Sequence, residues 1–351
     1  MSADHLLTLN AGSSSLKFAL FARDDLTGAV FAGQVDGIGL PGGAPSHDAA
    51  IADVLAQLNA RHERIAAVGH RIVHGGANLV RPVSIDDAVV AQMSALIPLA
   101  PLHQPHNVAG VRAARRAFVG IPQVACFDTA FHAAQPELNR RFALPQPLFE
   151  TGVRRYGFHG LSYESIVAQL GAAAQKRVVV AHLGNGASMC AMQGGRSIAT
   201  TMSFSPLDGL PMGTRCGRLD PAVVLHLIRQ GRGVDDVERL LFRESGLLGL
   251  SGLSSDMREL EASALPAAAM AIDYFVEYAL RDLAGMVAAL RGIDTLVFTG
   301  GIGENAATVR ERIVDGTAWM GAVDVRVLRT DEEAVIARHT AALVWGGPVR
   351  R

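Results

Sequence analysis

Two stretches of this chain share one pattern, and that pattern narrows the folds open to it. Residues 6–20 read LLTLNAGSSSLKFAL and residues 178–192 read VVVAHLGNGASMCAM. Each is an apolar run, a turn of Gly, Asn and Ser, and a second apolar run, which predicts strand, tight turn, strand. Gly12, Gly184 and Gly186 let the backbone approach a ligand closely. Turns so rich in N–H and O–H donors suit phosphate oxygens. A phosphate-type hairpin near the start of each half points to two similar domains around one nucleotide.

The length of 351 residues favours two domains over one, and 49% hydrophobic against 19% charged residues supports a sizeable core. A net charge of −1 argues against nucleic acid as a partner. Cys126, Cys190 and Cys216 form no CxxC, which suggests a reduced compartment and neither a disulfide framework nor a zinc site. The start MSADHLLTLN lacks the features of a signal peptide, and polar residues interrupt every apolar stretch before 18 residues. A cytoplasmic protein without a membrane span is expected.

Strand and helix signals alternate. Strands are predicted at 6–10, 16–22 and 29–35, a helix at 49–61, a strand at 66–68, helices at 86–97 and 105–118, and a strand at 123–127. The second half repeats the scheme, with strands at 178–183, 187–193 and 196–201, helices near 220–230 and 266–290, a strand at 296–299, a Gly-rich turn and a helix at 306–314. This order is α/β in each half. The Pro-, Gln- and Arg-rich stretch 133–155 reads as the domain boundary.

Several segments could carry chemistry. Asn10 at a strand end could orient a metal-bound water, and Lys17 on the returning strand could face a phosphate; turn closure explains the same residues equally well. His70, Arg71, His74, His103 and His106 enrich the first half in basic groups, but no HExxH occurs and the Gly-Pro surroundings argue against a metal held by these histidines. Asp128 ends an apolar run, where it could cap a helix or serve an α/β active site. His159, between Phe158 and Gly160, is approachable and suited to developing negative charge. Arg215, flanked by Gly213, Thr214 and Gly217, fits phosphoryl oxygens. Cys216 beside Arg215 and Arg218 invites a lowered thiol pKa, though no relay accompanies it. Ser251–Arg258 reads first as an N-capped helix with a surface Arg. Thr299–Ala306 nearly matches GxGxxG/A, with Asp324 at the spacing of a dinucleotide site, but no second βαβ unit follows. GxxxxGK[ST] is absent, as are the protein-kinase HRD and DFG signatures.

Taken together, NAGSSSLKFAL, GHRIVHGG, LAPLHQPHN, CFDTAFH, YGFHGLSY, AHLGNGAS, PLDGLPMGTRCGRLDP and FTGGIGEN resemble the acetate kinase family of the acetate and sugar kinase, Hsc70 and actin superfamily. The resemblance covers nearly the whole chain. It implies an α/β fold of two RNase H-like (actin-like ATPase) domains with the active site in the interdomain cleft. The implied parts are an N-terminal domain at 1–135, a nucleotide-binding domain at 136–332, and a helix and tail at 333–351 returning to the first domain. The implied activity is reversible, Mg-dependent in-line transfer of the ATP γ-phosphoryl group to acetate, giving acetyl phosphate and ADP, by a homodimer; Mn2+ could replace Mg2+.

By motif, the resemblance assigns the metal to Asn10 and Glu332, and nucleotide phosphate to Ser13, Ser15 and Lys17. Arg71 would bind the acetate carboxylate and Arg215 the phosphoryl group in flight. His159 would stabilise the transition state, and His103 and His182 would line the phosphoryl path. Asp128 matches the family's acid/base position, but a carboxylate nucleophile has no proton to give up, so Asp128 is expected to position groups or metal. His182, Leu183, Gly184, Asn185 and Gly186 would bind nucleotide, as would Asp256, Met257 and Arg258, and Gly301, Ile302, Gly303, Glu304 and Asn305. Val73, Leu102, Phe158 and Pro206 match the methyl pocket.

Three departures stand out: a short first domain around 36–50, Asp331 where the family motif has Asn, and a brief C-terminal tail. The other readings are a propionate or butyrate kinase, a nicotinamide-dependent oxidoreductase using Gly301–Ala306, and a non-catalytic nucleotide-binding regulator.

Overall fold

The computed structural model describes residues 4–12, 14–61 and 63–346. Ser13, expected at the phosphate tail, lies outside the described residues. The chain begins with a meander of β1 (Asp4–Ala11), β2 (Ser15–Ala22) and β3 (Phe31–Asp36). It continues through α1 (His47–Ala60), β4 (Arg64–Ile72), β5 (Val83–Ser84), α2 (Asp87–Ala95), α3 (Gln104–Ala117) and β6 (Gln123–Phe127). Short helices α4 (Glu137–Arg140) and α5 (Gln146–Glu150) lead to α6 (Gly160–Leu170). A second meander follows, β7 (Arg177–Leu183), β8 (Ala187–Gln193) and β9 (Arg196–Thr200). Then come α7 (Pro221–Arg229), α8 (Val234–Arg243), α9 (Gly246–Ser251), α10 (Met257–Glu261) and the long α11 (Pro266–Leu290). The chain closes with β10 (Thr295–Thr299), α12 (Gly300–Asn305), α13 (Ala307–Asp315), β11 (Asp324–Val327) and α14 (Glu332–Trp345).

Two compact units result: residues 1–133, 160–168 and 331–351 form the first, and 134–159 with 169–330 the second. The first sheet runs β3-β2-β1-β4-β6-β5 and the second β11-β10-β7-β8-β9. In each, an antiparallel meander continues into strands parallel to its first member, β4 and β6 beside β1, and β10 and β11 beside β7. The two hairpins of the opening repeat therefore occupy matching places. Asn10 pairs with Lys17 across the first hairpin, and His182 with Ser188 across the second.

Alternation along the strands builds the first unit. Leu7, Leu9, Phe18, Leu20 and Val68 pack with Ile51 and Val54 of α1 and Ala113 and Ala114 of α3. Leu6, Phe21 and Ala67 point the other way, toward Ala334 and Ala337 of α14. Each leucine, isoleucine, valine or phenylalanine among them, fully withdrawn from water, contributes about 1.5–3 kcal/mol. Gly69 lets α14 lie close on β4: a Cβ there would stand 2.6 Å from Ile336 Cγ2 and collide with Thr340 Oγ1. The sheet of the second unit is sealed by buried Val178, Val180, Met189, Cys190 and Phe298, with Phe275, Ala279 and Leu283 of α11 also buried.

The expected strands and the longer helices are present. The segment expected as a Gly-rich turn after β10 is itself helical, as α12, because the Glu304 carboxylate folds back to accept the Gly300 N–H at 3.0 Å. The shortened region after β3 is a compact turn. Gly39 N–H donates to Ala44 O at 2.8 Å and Leu40 N–H to Gly37 O at 2.9 Å, carrying the chain straight to α1. Among the described residues no helix is long and apolar enough to cross a membrane.

Candidate active site

In the first unit the polar centre is Arg71, near the end of β4. Its Nε donates to both Asp128 carboxylate oxygens at 3.0 and 3.2 Å, and Nη2 donates to Oδ2 at 2.7 Å. Glu332 Oε2 lies 3.5 Å from Nε, and Nη1 reaches the Asn10 amide oxygen at 3.4 Å. Burial works against the guanidinium charge, but Asp128 and then Glu332 more than offset it, so its pKa is raised. The ends of three strands, β1, β4 and β6, and the start of α14 thus bring together positions 10, 71, 128 and 332. The Asp128 carboxylate is engaged with Arg71.

Asp331 caps α14, its Oδ1 accepting the Ala334 N–H at 2.9 Å. Asp and Asn serve as helix caps about equally, so the departure from the family's Asn keeps the cap and adds a charge. Burial, Glu332 and Asp331 together push the Glu333 pKa up.

The surrounding imidazoles do structural work. His70 bonds Gln123 Oε1 at 2.9 Å, and burial lowers its pKa to about 4 despite that bond. His74 Nδ1 accepts the Gly76 N–H at 2.8 Å, and burial takes its pKa to about 4 as well. His106 stacks on His47, whose Nε2 lies 3.0 Å from Gly12 O. Val73 is buried, with its N–H donated to Asn107 Oδ1 at 2.8 Å. Leu102 and His103 are half-buried just before α3, Ser15 is half-buried, and Lys17 is exposed on β2.

In the second unit His159 and Arg215 converge on Gly186. A Cβ at Gly186 would lie 3.4 Å from His159 Nε2 and 3.5 Å from Arg215 Nη1, ordinary contact distances, so the imidazole and the guanidinium both stand against this turn. His159 Nδ1 is 2.8 Å from Ser188 Oγ, and its ring stacks on His182 at 4.4 Å between centroids. Its backbone is left-handed (φ 59°, ψ 24°), a conformation that costs a non-glycine residue about 1–3 kcal/mol. Arg215 Nη1 donates to Pro206 O at 3.0 Å and meets Met212 Sδ at 3.6 Å. Phe158 and Pro206 are buried in this same unit.

Gly184 brings the nucleotide candidates near one another: a Cβ there would be 3.8 Å from Gly301 N and 4.0 Å from His182 Nε2. Leu183 is buried and Asn185 is exposed, its carbonyl accepting the Gly213 N–H at 3.1 Å. In α12, Ile302 and Gly303 are buried and Asn305 Nδ2 donates to Gly301 O at 2.8 Å. Asp256 caps α10 through Arg258 N at 2.9 Å, and the Arg258 side chain and backbone together lower its pKa to about 2. Met257 is buried. Cys216 is no activated thiol: burial raises its pKa to about 11.

A magnesium ion is compatible with the donors around Arg71. Asn10, Asp128, Glu332 and Glu333 offer hard oxygens, and their carboxylates outnumber the single guanidinium among them. Among the described residues no cluster of three or more His, Cys, Asp or Glu could cage a metal. Magnesium keeps waters and takes phosphate oxygens, so one or two protein oxygens suit it.

Residues 5–344 match the model of the Acetokinase family. The chain belongs to this family. It is similar to the acetate kinase of Methylocella silvestris, 47% identical over an alignment that covers 97% of this chain and 98% of the relative. It is also similar to the acetate kinase of Rhodopseudomonas palustris, 47% identical with 98% and 100% covered. Among solved structures, Porphyromonas gingivalis acetate kinase matches with a TM-score of 0.89 and 35% identity, covering 97% and 100%. A propionate kinase from Francisella tularensis matches with a TM-score of 0.91 and 34% identity, covering 97% and 99%. The two-domain actin-like ATPase fold is that of these acetokinase structures. Family membership removes the support for a nicotinamide site at Gly301–Ala306.

Sequence reasoning missed Ser188 as the bracket of His159, since the partners stand 29 residues apart. It also missed the shared grip of Asp128 and Glu332 on Arg71; separations of 57 and 261 residues leave no local signal.

Proposed function

We propose that this acetokinase transfers the γ-phosphoryl group of ATP to acetate, reversibly and with magnesium, giving acetyl phosphate and ADP. The observation that carries the reading is the convergence of His159 Nε2 and Arg215 Nη1 on the turn at Gly186. Phosphoryl transfer needs charge neutralised over the equatorial oxygens and reactants held in line. A fixed imidazole and a guanidinium fork supply that charge without rearranging during the reaction.

Arg71 binds the acetate carboxylate, and Asp128 holds Arg71 in orientation. One acetate oxygen attacks the γ-phosphorus as the bond to the β–γ bridging oxygen breaks; the electron pair leaves with ADP and no proton is abstracted from acetate. Arg215 and His159 take the charge of the phosphoryl group in flight, and His103 and His182 line its path. Asn10 and Glu332 would hold magnesium, which supplies charge neutralisation on the ATP phosphates. Ser15 and Lys17 serve the phosphate tail. His182–Gly186, Asp256–Arg258 and Gly301–Asn305 serve the rest of the nucleotide. Val73, Leu102, Phe158 and Pro206 form the methyl pocket. A homodimer in the cytoplasm and tolerance of manganese belong to the same proposal.

The test is ATP-dependent formation of acyl phosphate, trapped as hydroxamate, with acetate, propionate and butyrate. One extra methylene changes binding by about 1–3 kcal/mol, so kcat/KM for propionate is expected about 10- to 200-fold below that for acetate. Propionate turnover equal to or better than acetate favours the second reading, a propionate kinase, which the Francisella tularensis neighbour makes the one to compare.

A further inference from the structure

Arg215 lies between β9 and α7, in a stretch without regular structure. A loop in water samples many conformations on the nanosecond-to-microsecond scale, yet a transition-state group must be held to within a fraction of an ångström. The residues beside Arg215 are tied to one place, the junction of α8 and α9. Leu247 N–H donates to Met212 O at 2.8 Å, Leu248 N–H to Gly213 O at 2.9 Å, and Ser245 N–H to Thr214 O at 3.0 Å. Thr214 Oγ1 donates to Phe242 O at 2.9 Å, and Cys216 N–H donates to Leu241 O at 3.0 Å. The loop is thus fastened immediately before and immediately after Arg215.

Gly246, the first residue of α9, is the point of closest approach. Its φ of 64° is left-handed. A Cβ there would stand 2.7 Å from Arg215 O and 3.0 Å from Arg215 N, and would collide with Met212 O. Glycine at 246 is what lets the Arg215 backbone rest on the junction.

We infer that the α8–α9 junction, residues 241–248, is the platform that positions Arg215, with Gly246 and Thr214 as positioning residues for phosphoryl transfer. The inference rests on the role proposed for Arg215. Neither positioning residue offers a side chain to the reacting atoms. Gly246 acts by the space it leaves, and Thr214 by anchoring the residue that precedes the guanidinium.

Steady-state kinetics of Gly246→Ala, Thr214→Val, Thr214→Ser and Arg215→Ala test it, together with thermal melts and binding of a fluorescent ATP analogue. A misplacement of about 1 Å costs about 10²-fold, so Gly246→Ala is expected to lose about that much kcat while KM for ATP and analogue binding stay within about twofold. Loss of one hydrogen bond in Thr214→Val is expected to lower kcat about tenfold, while Thr214→Ser, which keeps the donor, stays near the parent. The inference is overturned if Gly246→Ala and Thr214→Val keep the parent kcat while Arg215→Ala is inactive. Lowered melting temperatures with unchanged kcat would leave the junction a structural element only. Should Gly246→Ala fail to fold, the Thr214 pair decides, and Val behaving as Ser sinks the inference. Full activity in Arg215→Ala would instead overturn the role on which the inference stands.

Discussion

The two hairpins occupy matching places in their sheets and diverge in chemistry. At one pair of matching positions the first unit has Asn10 opposite Lys17, an amide and a cation. The second has His182 opposite Ser188, and there the ring and the hydroxyl bracket His159 from two sides. The same contrast holds for the guanidiniums. Arg71 is gripped by carboxylates, whereas Arg215 rests on a backbone carbonyl and a thioether, with its loop fastened by main-chain bonds. A repeated scaffold supplies positions; the residues placed there decide the chemistry each unit presents.

The comparison breaks most sharply at Asp128. Removing one member of a buried charge pair costs about 3–5 kcal/mol. Asp128→Asn should therefore lower stability by about 3 kcal/mol and raise KM for acetate more than KM for ATP. Denaturant melts and two-substrate kinetics read both effects, and an unchanged KM for acetate would detach Asp128 from the substrate-binding role proposed for Arg71.

Acid should separate the units next. His70 and His74 have pKa values lowered to about 4, so both stay neutral in the folded protein while the unfolded chain protonates them near 6.5. The unfolded state binds more protons between those limits, and stability falls as pH drops from 6.5 toward 4. The loss from pH 7 to 5 is on the order of 2 kcal/mol for each imidazole. Hydrogen exchange should show the amides of β4 and its neighbours losing protection first. A flat denaturation midpoint between pH 7 and 5 would contradict this.

A smaller effect sharpens the second unit. Ser188→Ala removes one partner of His159, and a bond worth about 1 kcal/mol translates to about a fivefold to tenfold lower kcat with KM for ATP unmoved. An unchanged kcat would mean that the Ser188 hydroxyl does not orient the imidazole.

Much of the scaffold was legible because local periodicity reports it. The apolar runs on either side of a Gly-containing turn in LLTLNAGSSSLKFAL and VVVAHLGNGASMCAM give both hairpins, and the apolar run in Leu296–Thr299 likewise reads as a strand. What escaped has a non-local cause. Residues 333–351 read from sequence as a helix and tail returning to the first domain; α14's seat on β4 depends on Gly69, more than 260 positions earlier, leaving room for Ile336. β11 is short and largely exposed, and its parallel pairing with β10 supplies the order that DVRV by itself does not. The GGIGEN segment carries helix-breaking glycines, and the Glu304 carboxylate on Gly300 N–H overrides them. Cys216 misled because adjacent arginines in sequence suggest a lowered pKa, while burial raises it.

The central claim is a division of labour between the two arginines, and one measurement tests it directly: two-substrate kinetics of Arg71→Ala beside Arg215→Ala. The account predicts that Arg71→Ala chiefly raises KM for acetate. It predicts that Arg215→Ala lowers kcat by about 10³-fold or more, with KM for acetate and ATP little changed. Two variants with the same pattern, or Arg215→Ala acting only on KM for ATP, would contradict it.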